Sequence, residues 1–201
     1  DAERTMCTYL GASTKLSYNL IDNSIFEKKN IIYIEGYLFD KIETKNTIKK
    51  ICEIAKNNKM KISLSLSDVF CVERHRKDFL DLIKNYIDIL FANQDELISL
   101  YSSNFKESLK NIRRSVKIGA ITSGKQGPIV FNKKEIFNIE AKKTKTIVDT
   151  TGAGDIYASG CLFGISKNLT LKECGELGAN CASKIISHFG ARSQVKLKTL
   201  L

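Results

Sequence analysis

Hydrophobic residues occur along the chain in short apolar runs, which alternate with segments whose apolar positions recur every three or four residues. The apolar runs predict strands over residues 5–10, 31–38, 60–66, 87–92, 116–121, 128–131 and 135–139. The segments with helical spacing predict helices over residues 43–57, 78–85, 94–101 and 105–113. Near-continuous apolar strands are typical of a parallel sheet covered on both faces. The pattern therefore predicts an α/β fold with a doubly wound, mainly parallel sheet.

The last third of the chain is predicted to carry two helices. An apolar helical run extends from Ile156 to Ile165, directly after a glycine-rich turn. Thr170 followed by Glu173 is a capping-box pattern, which predicts the start of a second helix that runs to about His188. Gly190 is predicted to close that helix, because glycine favours the left-handed conformation found after helix ends.

The glycine-rich turn DTTGAGD, from Asp149 to Asp155, carries the strongest chemical signal in the sequence. Gly152 and Gly154 let the backbone bend tightly and approach a ligand, and the helix that follows offers unpaired N–H groups to an anion. Asp155 adds a carboxylate in the same first turn. Phosphoryl transfer to a hydroxyl needs this combination of donors for the transferred charge and a base for the alcohol proton. The alternative is an ordinary cap, in which Asp149 or Thr151 bonds the first turn and Asp155 complements the helix dipole.

Polar residues also follow several of the predicted strands. In doubly wound sheets, ligands bind beyond the carboxyl ends of the strands. Asn93 and Glu96 follow one strand and suit either a hydrated Mg²⁺ or an ordinary helix cap. The turn from Thr122 to Gly127 is either a nucleotide-binding segment or a plain loop. Asp68 follows a third strand, where a local cap is favoured over a ligand contact.

Composition argues against nucleic-acid and membrane partners. The net charge is +10, from 32 Lys and Arg against 22 Asp and Glu. The lysines are dispersed over predicted helix backs and turns, without interleaved aromatic residues, which favours a solvated face over a nucleic-acid surface. The longest apolar runs are far shorter than a membrane span. Neither nucleic acid nor a membrane is therefore predicted as a partner.

The cysteines and histidines exclude several kinds of chemistry. The six cysteines form no CxxC pair and no Cys/His ligand spacing, so we interpret them as reduced, mostly buried residues of a cytoplasmic protein. The two histidines, His75 and His188, lie in no catalytic-triad context, which argues against a nucleophilic hydrolase. The length of 201 residues favours one domain over residues 1–201. Because the chain begins at Asp1 with strand-like sequence, we expect an N-terminal truncation.

The order of these motifs resembles the ribokinase-like sugar and nucleoside kinases, the PfkB family. The resemblance runs from about Tyr33 to Gln194 and comprises NxxE, a T-x-G-x-x-G turn, D-T-x-G-A-G-D and a helix that closes in GARSQ. The stretches ERTMCTYLGAS, YIEGYLFD, SDVFCVERHR and FANQDELISLY resemble bacterial adenosine kinase-type members. The resemblance implies a ribokinase-like fold that uses ATP and Mg²⁺ to phosphorylate a primary hydroxyl.

Catalytic roles follow from the resemblance for the glycine-rich turn. Asp155 is implied as the base that takes the proton of the acceptor's primary hydroxyl. The amides of Gly152, Ala153 and Gly154 are implied to hold the developing charge of the γ-phosphoryl group. The resemblance also implies a site for a monovalent cation such as K⁺. Its matching positions are Asp149 and Thr151, together with backbone oxygens around Ile185, His188 and Gly190.

Nucleotide and metal roles follow from the resemblance in the same way. Glu96 and Asn93 are implied to organise Mg²⁺ and the phosphates, with Glu96 as the metal residue. The ATP site is implied to be lined by Thr122, Gly124 and Gly127, with Asn180 near the adenine.

The acceptor half of the site departs from the family pattern. The family's leading segment supplies strands, a lid and the grip on the acceptor's hydroxyls, and this sequence shows none of them. Two interpretations remain open for Arg4, Thr8 and Tyr9. In one, they border the acceptor pocket. In the other, Arg4 is a surface charge, and Thr8 and Tyr9 pack within a strand. The predicted acceptor is a nucleoside, with adenosine first, as in purine salvage. Alternatives are a sugar kinase for ribose, fructose or a 2-keto-3-deoxy sugar acid, or a non-catalytic nucleotide-binding fragment. A homodimer and a cytoplasmic location are also expected.

Overall fold

The protein divides into two compact units. A computed structural model describes residues 6–27, 31–144, 146–194 and 196–197. The first unit spans residues 8–121, and the second comprises residues 122–197 together with residues 6–7. Arg4, a candidate acceptor residue, lies outside the described residues, and the single-domain interpretation stays a prediction.

The first unit is built on parallel strands, as the apolar runs predict. Its strands are β1 (Ile31–Glu35), β2 (Lys61–Ser65), β3 (Ile89–Asn93) and β4 (Ile118–Thr122), adjacent in that order. β1 and β2 are parallel, with Ile31 opposite Lys61, and β2 and β3 are parallel, with Ser63 opposite Ile89. The middles of β2, β3 and β4 are buried, which agrees with the apolar character of the runs, whereas β1 buries only Ile34 fully.

Helices follow the strands of the first unit in alternation. They are α1 (Ile42–Asn57), α2 (Val69–Asn85), α3 (Gln94–Tyr101) and α4 (Phe105–Ser115), with 3₁₀ turns at Gly11–Lys15, Tyr18–Leu20, Asn23–Phe26 and Gly36–Asp40. Side-chain caps fix three helix starts: Asp68 accepts from the Cys71 amide, Asn93 from Glu96 and Asn104 from Glu107. The start of α3 therefore coincides with its sequence prediction, because the cap signal is local.

Large apolar side chains from strands and helices form the core of this unit. Phe39 and Phe79 meet edge to face with ring centroids 5.1 Å apart. Gly36 lies beside them, and a Cβ built there would approach the Leu66 carbonyl oxygen to 2.9 Å. The chain therefore approaches Gly36 so closely that no room remains for a side chain there. Other large and fully buried side chains of this unit include Ile34, Ile62, Leu64, Leu66, Leu82, Ile89, Leu90, Leu97 and Leu100.

Two predicted elements of the first unit differ from the structure. Residues 6–10 form no strand and are almost entirely exposed, with Tyr9 94% accessible, because no neighbouring strand pairs with them. Thr8 and Tyr9 are therefore not strand-packing residues. Helix α2 begins at Val69 rather than at Asp78, because the Asp68 side chain caps this earlier start. Cys71 and Val72, in the first turn, are fully buried. A kink interrupts the helix at His75, where the backbone angles are non-helical. The Nε2 atom of His75 lies 2.7 Å from Asp40 Oδ1.

The second unit contains a hairpin and two packed helices. Strands β5 (Ile129–Asn132) and β6 (Ile136–Asn138) pair antiparallel as a hairpin, which confirms the two strands predicted over residues 128–131 and 135–139. A 3₁₀ turn at Gly124–Gln126 precedes them. Helices α5 (Ala153–Ser166) and α6 (Leu171–Ile185) approach each other through small residues. A Cβ on Gly178, for example, would lie 2.8 Å from the Tyr157 carbonyl oxygen.

The beginning of α6 confirms its prediction and the end corrects it. Thr170 and Glu173 form the capping box reciprocally. The helix ends at Ile185, however, and not near His188. Gly190 has a positive φ of 87° but does not close the helix, because its amide bonds to the carboxylate of Asp149 instead.

These elements confirm the α/β class with mainly parallel pairing. The β1–β2 and β2–β3 pairs of the first unit are parallel, and the β5–β6 pair of the hairpin is antiparallel. Within the described ranges, every helix is too short or too polar to cross a membrane.

Candidate active site

The turn before α5 is fixed by local hydrogen bonds. Asp149 Oδ1 accepts from the Thr151 amide at 2.8 Å, and the Thr150 carbonyl accepts from the Ala153 amide at 3.2 Å. Gly152 is the N-cap residue, with φ 77° and ψ 4° in the left-handed region. A Cβ at Gly152 would also lie 2.7 Å from the Cβ of Ala191. Only glycine suits this position, because both the backbone angle and the neighbouring chain exclude a side chain.

The opposite side of the same turn is open. A Cβ built on Gly154 would meet no atom within 4 Å, and Gly154 and Asp155 are both exposed. They lie in the first turn of a 14-residue helix, where N–H groups lack intrahelical acceptors and the dipole favours negative charge. The amide of Ala153 is already bonded to Thr150, so the amides beyond it are the more available donors. The turn thus combines an anion-binding helix start with an accessible carboxylate.

A longer connection ties this turn to the segment after α6. Asp149 Oδ2 accepts from the Gly190 amide at 2.9 Å, across 41 residues of sequence. The Ile186 carbonyl accepts from the amides of Val148 at 2.8 Å and Asp149 at 3.4 Å. The family resemblance implied that Asp149 and the backbone around Gly190 lie together as a cation site. It did not predict a hydrogen bond from the Gly190 amide, because an Asp two residues before a Thr signals only the local turn.

The glycines of the turn from Thr122 to Gly127 have different surroundings. Gly127 is buried at φ 84°, and a Cβ there would collide with the Ile139 carbonyl oxygen. Packing therefore explains Gly127 without a ligand. Gly124 is exposed at φ 50°, with no atom within 4 Å of a built Cβ, so its surface is accessible. Thr122 ends β4 and is half-buried.

Asn180 lies within α6 and is half-buried. Its carbonyl accepts from the Ser183 hydroxyl at 2.8 Å. Because α6 packs on α5, which starts at the glycine-rich turn, Asn180 belongs to the same compact unit as Asp155.

In the first unit, Asn93 and Glu96 bond to each other in a reciprocal cap. Asn93 Oδ1 accepts from the Glu96 amide at 2.8 Å. The Glu96 carboxylate accepts from the Asn93 amide at 2.9 Å and from Asn93 Nδ2 at 2.7 Å. The capping interpretation is therefore confirmed as one role of this pair.

Glu96 is an unusual cap because its carboxyl group is almost completely buried. Burial raises the pKa of Glu96 from 4.5 to about 7, against the opposing hydrogen bond from the Asn93 amide. The neighbouring carboxylates of Asp68, Glu35 and Asp95 raise the pKa further. A raised pKa of this kind is typical of functional carboxyl groups as well as of structural ones.

A second polar arrangement links the ends of β1 and β2. Ser67 donates to Glu35 Oε2 at 3.0 Å and accepts from the Gly36 amide at 2.8 Å. Ser67 has a positive φ of 72°, which is uncommon for a residue with a side chain. Burial raises the pKa of the Tyr37 hydroxyl above its usual range, with a hydrogen bond to Asp68 as a further cause. The sequence indicated a local cap at Asp68 but not the contact between Ser67 and Glu35.

The described residues show neither a metal cluster nor an activated thiol. Within that part of the chain, no three His, Cys, Asp or Glu side chains are placed to hold one metal ion. Five cysteines are buried and Cys7 is exposed. Burial raises the pKa of Cys52 and of Cys71 to about 12, so both remain protonated thiols near neutral pH.

Comparison with known protein families identifies the chain. The model of the pfkB family carbohydrate kinases matches residues 1–198. The chain belongs to this family. The resemblance drawn from the motifs is therefore confirmed.

Solved structures of related kinases confirm the ribokinase-like fold. A probable sugar kinase from Rhizobium etli is 36% identical, with a TM-score of 0.89 over 92% of this chain and 57% of that one. The adenosine kinase from Sinorhizobium meliloti is 35% identical, with the same TM-score and the same coverage. An uncharacterized sugar kinase from Archaeoglobus fulgidus is 27% identical over 90% of this chain and 71% of its own length. The chain thus spans little more than half the length of the two solved relatives.

Proposed function

We propose that the intact protein transfers the γ-phosphoryl group of ATP to the primary hydroxyl of a nucleoside. The observation that carries this proposal is the open first turn of α5, where the Asp155 carboxylate is exposed beside Gly154 and the Gly154 side is free of neighbouring atoms. This arrangement fits a phosphate group, because a helix start supplies both N–H donors and a favourable dipole. Membership of a kinase family supports the same chemistry.

In the proposed reaction, Asp155 acts as the general base. Its carboxylate accepts the proton of the acceptor hydroxyl as that oxygen forms its bond to the γ-phosphorus. The bond between the γ-phosphorus and the β–γ bridging oxygen breaks, and ADP carries away the electron pair. The amides of Gly154 and Gly152 stabilise the charge on the transferred group, with Ala153 contributing once its bond to the Thr150 carbonyl is released.

The remaining predicted site residues have supporting roles in this proposal. Thr122, Gly124 and Asn180 line the nucleotide, and the packing of Gly127 against Ile139 shapes their turn. Bound Mg²⁺ supplies charge neutralisation for the nucleotide phosphates. Glu96 and Asn93 fit a role in holding the hydrated metal, because a neighbouring cation favours the ionised form of a carboxyl group whose pKa is about 7.

Adenosine is the acceptor that we favour. The support is the 35% identity with the adenosine kinase from Sinorhizobium meliloti over 92% of this chain. A sugar acceptor is the second candidate, supported by the similarity to the sugar kinases of Rhizobium etli and Archaeoglobus fulgidus. A K⁺ requirement, a homodimer and a cytoplasmic location stay predictions from the sequence.

An acceptor panel tests the proposal. The intact protein is incubated with ATP and Mg²⁺ and with adenosine, other nucleosides, ribose, fructose or 2-keto-3-deoxy sugar acids, and ADP formation is measured. We expect kcat/KM for adenosine to exceed that for the other acceptors by at least about 100-fold. An analogue that lacks a hydrogen-bonding group of the correct substrate leaves buried polar groups of the site without a partner, and the site therefore rejects it. Turnover of a sugar alone would show that the acceptor is a sugar instead of adenosine, while the proposed phosphoryl transfer from ATP would still hold. Nucleotide binding without turnover of any acceptor would contradict the proposed function.

A further inference from the structure

A polar clasp, formed by Asp40, Arg74 and His75, joins the 3₁₀ turn at Gly36–Asp40 to the first half of α2. The Asp40 carboxylate accepts two parallel hydrogen bonds from the Arg74 guanidinium, at 3.1 Å from Nε and 3.2 Å from Nη2. The Nε2 atom of His75 lies 2.7 Å from the same carboxylate. Although burial opposes ionisation, the hydrogen bonds from His75 and Arg74 lower the pKa of Asp40. Because an ionised carboxylate only accepts hydrogen bonds, the Nε2 atom of His75 carries the donated proton.

The clasp lies at the kink of α2. His75 has φ −123° and ψ 19°, which are not helical angles, and it separates residues 69–74 from the rest of the helix. A break in the helical ladder leaves the segment before it without the support of a continuous helix, so contacts outside the helix must fix its direction. The His75 ring packs near Phe39 and Phe79, with ring centroids 6.2 and 6.1 Å away. The kink is therefore held both by aromatic packing and by the hydrogen bond to Asp40.

The segment that the clasp holds lies at the carboxyl edge of the sheet. Residues 69–74 follow the end of β2, and Asp68 caps them by accepting from the Cys71 amide at 2.6 Å. Tyr37, which follows the end of β1, also forms a hydrogen bond with Asp68 through its hydroxyl. In doubly wound sheets, ligands bind beyond such strand ends. The proposed nucleotide residues follow β4 or lie in α6, and Glu96 follows β3, so the ends of β1 and β2 remain for the acceptor.

We infer that Asp40 is a positioning residue, which acts through Arg74 and His75 to hold the first turns of α2 in the orientation that binds the acceptor. This inference rests on the proposed phosphoryl transfer, and it gives Asp40 no contact with the acceptor or the nucleotide. The physical reason is that a segment held in place before binding loses less conformational entropy when the ligand arrives. Without the clasp, the first turns of α2 would sample further orientations, and binding of the acceptor would have to select one of them.

Substitution of Asp40 by asparagine removes the charge and one acceptor oxygen while it preserves the size of the side chain. Kinetics are measured with the panel acceptor that the unsubstituted protein phosphorylates best. We expect Asp40→Asn to raise the KM for this acceptor about tenfold, with kcat and the KM for ATP within about twofold. Arg74→Gln removes the guanidinium fork but keeps the contact between Asp40 and His75, so a rise of about threefold is expected. A merely structural role predicts a different result, because loss of folded protein lowers kcat and leaves both KM values unchanged.

Hydrogen exchange provides a readout that does not depend on activity. In the intact protein, Asp40→Asn is expected to accelerate exchange of the amides of residues 71–74 about tenfold, while residues 79–85, beyond the kink, exchange as before. Asp78→Asn is the matched control. Asp78 also lies in α2 but beyond the kink, and it pairs with Lys45 of α1 at 2.7 Å. This control is expected to leave both the exchange of residues 71–74 and the KM for the acceptor unchanged.

Three outcomes would overturn the inference. Unchanged exchange of residues 71–74 in both Asp40→Asn and Arg74→Gln would show that the clasp does not hold this segment. Faster exchange with an unchanged KM for the acceptor would show that the segment does not shape the acceptor site. Equal rises in the KM values for the acceptor and for ATP would show a general disturbance of the protein. If the unsubstituted protein phosphorylates no acceptor, the proposed function fails and the inference fails with it, whereas normal turnover with an unchanged KM in Asp40→Asn would overturn the inference alone.

Discussion

Glu96 and Asn93 form reciprocal hydrogen bonds at the start of α3, in which each side chain accepts from the backbone amide of the other residue. The Asn93 side chain accepts from the Glu96 amide, and the Glu96 carboxylate accepts from two N–H groups of Asn93. The carboxyl group is buried beside the carboxylates of Asp68 and Glu35, and its pKa is raised to about 7. A helix cap of this kind is therefore also a titrating group near neutral pH.

The titration of Glu96 predicts that stability depends on pH. The folded pKa is raised above the unfolded value of about 4.5, so the folded state binds more protons between pH 4.5 and 7. This contribution to the free energy of unfolding is present below pH 4.5 and is lost as the pH rises through 7. The loss is on the order of 2–3 kcal/mol. Urea unfolding at pH 5, 6, 7 and 8 should show a flatter pH dependence for Glu96→Gln than for the unsubstituted protein. Parallel pH dependences for the two proteins would contradict the raised pKa.

The same substitution tests the proposed metal role of Glu96. Glu96→Gln removes the ionisable oxygen while it preserves the size of the side chain, so a higher Mg²⁺ concentration should be needed for half-maximal activity. Asp78→Asn is a suitable control, because Asp78 forms a half-buried ion pair with Lys45 at 2.7 Å instead of a helix cap. An unchanged Mg²⁺ dependence would leave Glu96 as a structural cap only.

The two glycines of the turn before α5 should respond differently to alanine. Gly152→Ala forces a side chain into the left-handed region and against Ala191, and it should destabilise the protein by at least about 1–2 kcal/mol. Gly154→Ala meets open space and should leave the free energy of unfolding within about 1 kcal/mol. Its methyl group would nevertheless reduce access to the amides, so Gly154→Ala should lower kcat/KM for ATP. Normal kinetics with Gly154→Ala would argue against close approach of a phosphate at this position.

The contact between α5 and α6 predicts a further stability effect. A Cβ on Gly178 would lie 2.8 Å from the carbonyl oxygen of Tyr157. This oxygen belongs to the backbone of α5, so relief of the clash would require the helix itself to shift. Gly178→Ala should therefore destabilise the protein by about 1–3 kcal/mol in urea unfolding. Gly154→Ala is the matched control, since it makes the same substitution in a helix without any contact. Equal stability of the two variants would contradict the close packing of these helices.

Local signals in the sequence predicted the elements whose determinants are also local. The start of α3 follows from Asn93 and Glu96, and the start of α6 follows from Thr170 and Glu173, because each cap needs residues only three positions apart. The tight turn at Gly152 was predictable for the same reason. The strand-like sequence of residues 6–10 was misleading, because a strand forms only where a partner strand is available.

Contacts between distant residues could not be predicted in this way. Nothing in the sequence near Gly190 indicates that its amide bonds to Asp149, and glycine after a helix more commonly closes that helix. The early start of α2 was missed because its apolar positions are interrupted by the charged run around Arg74 and by the kink at His75. The raised pKa of Glu96 likewise depends on its burial in the folded protein and, as further causes, on the carboxylates of Asp68 and Glu35, which are distant in sequence.

Substitution of Asp155 by asparagine tests the central claim most directly. The variant keeps the size of the side chain and the helix start but removes the base, so kcat of the intact protein should fall by at least about 100-fold. The dissociation constant for ATP, measured by titration calorimetry, should remain within about threefold. Glu107→Gln is the control, because Glu107 is also a carboxylate in the first turn of a helix. A near-normal kcat for Asp155→Asn would contradict the assignment of Asp155 as the base and, with it, this account of the site.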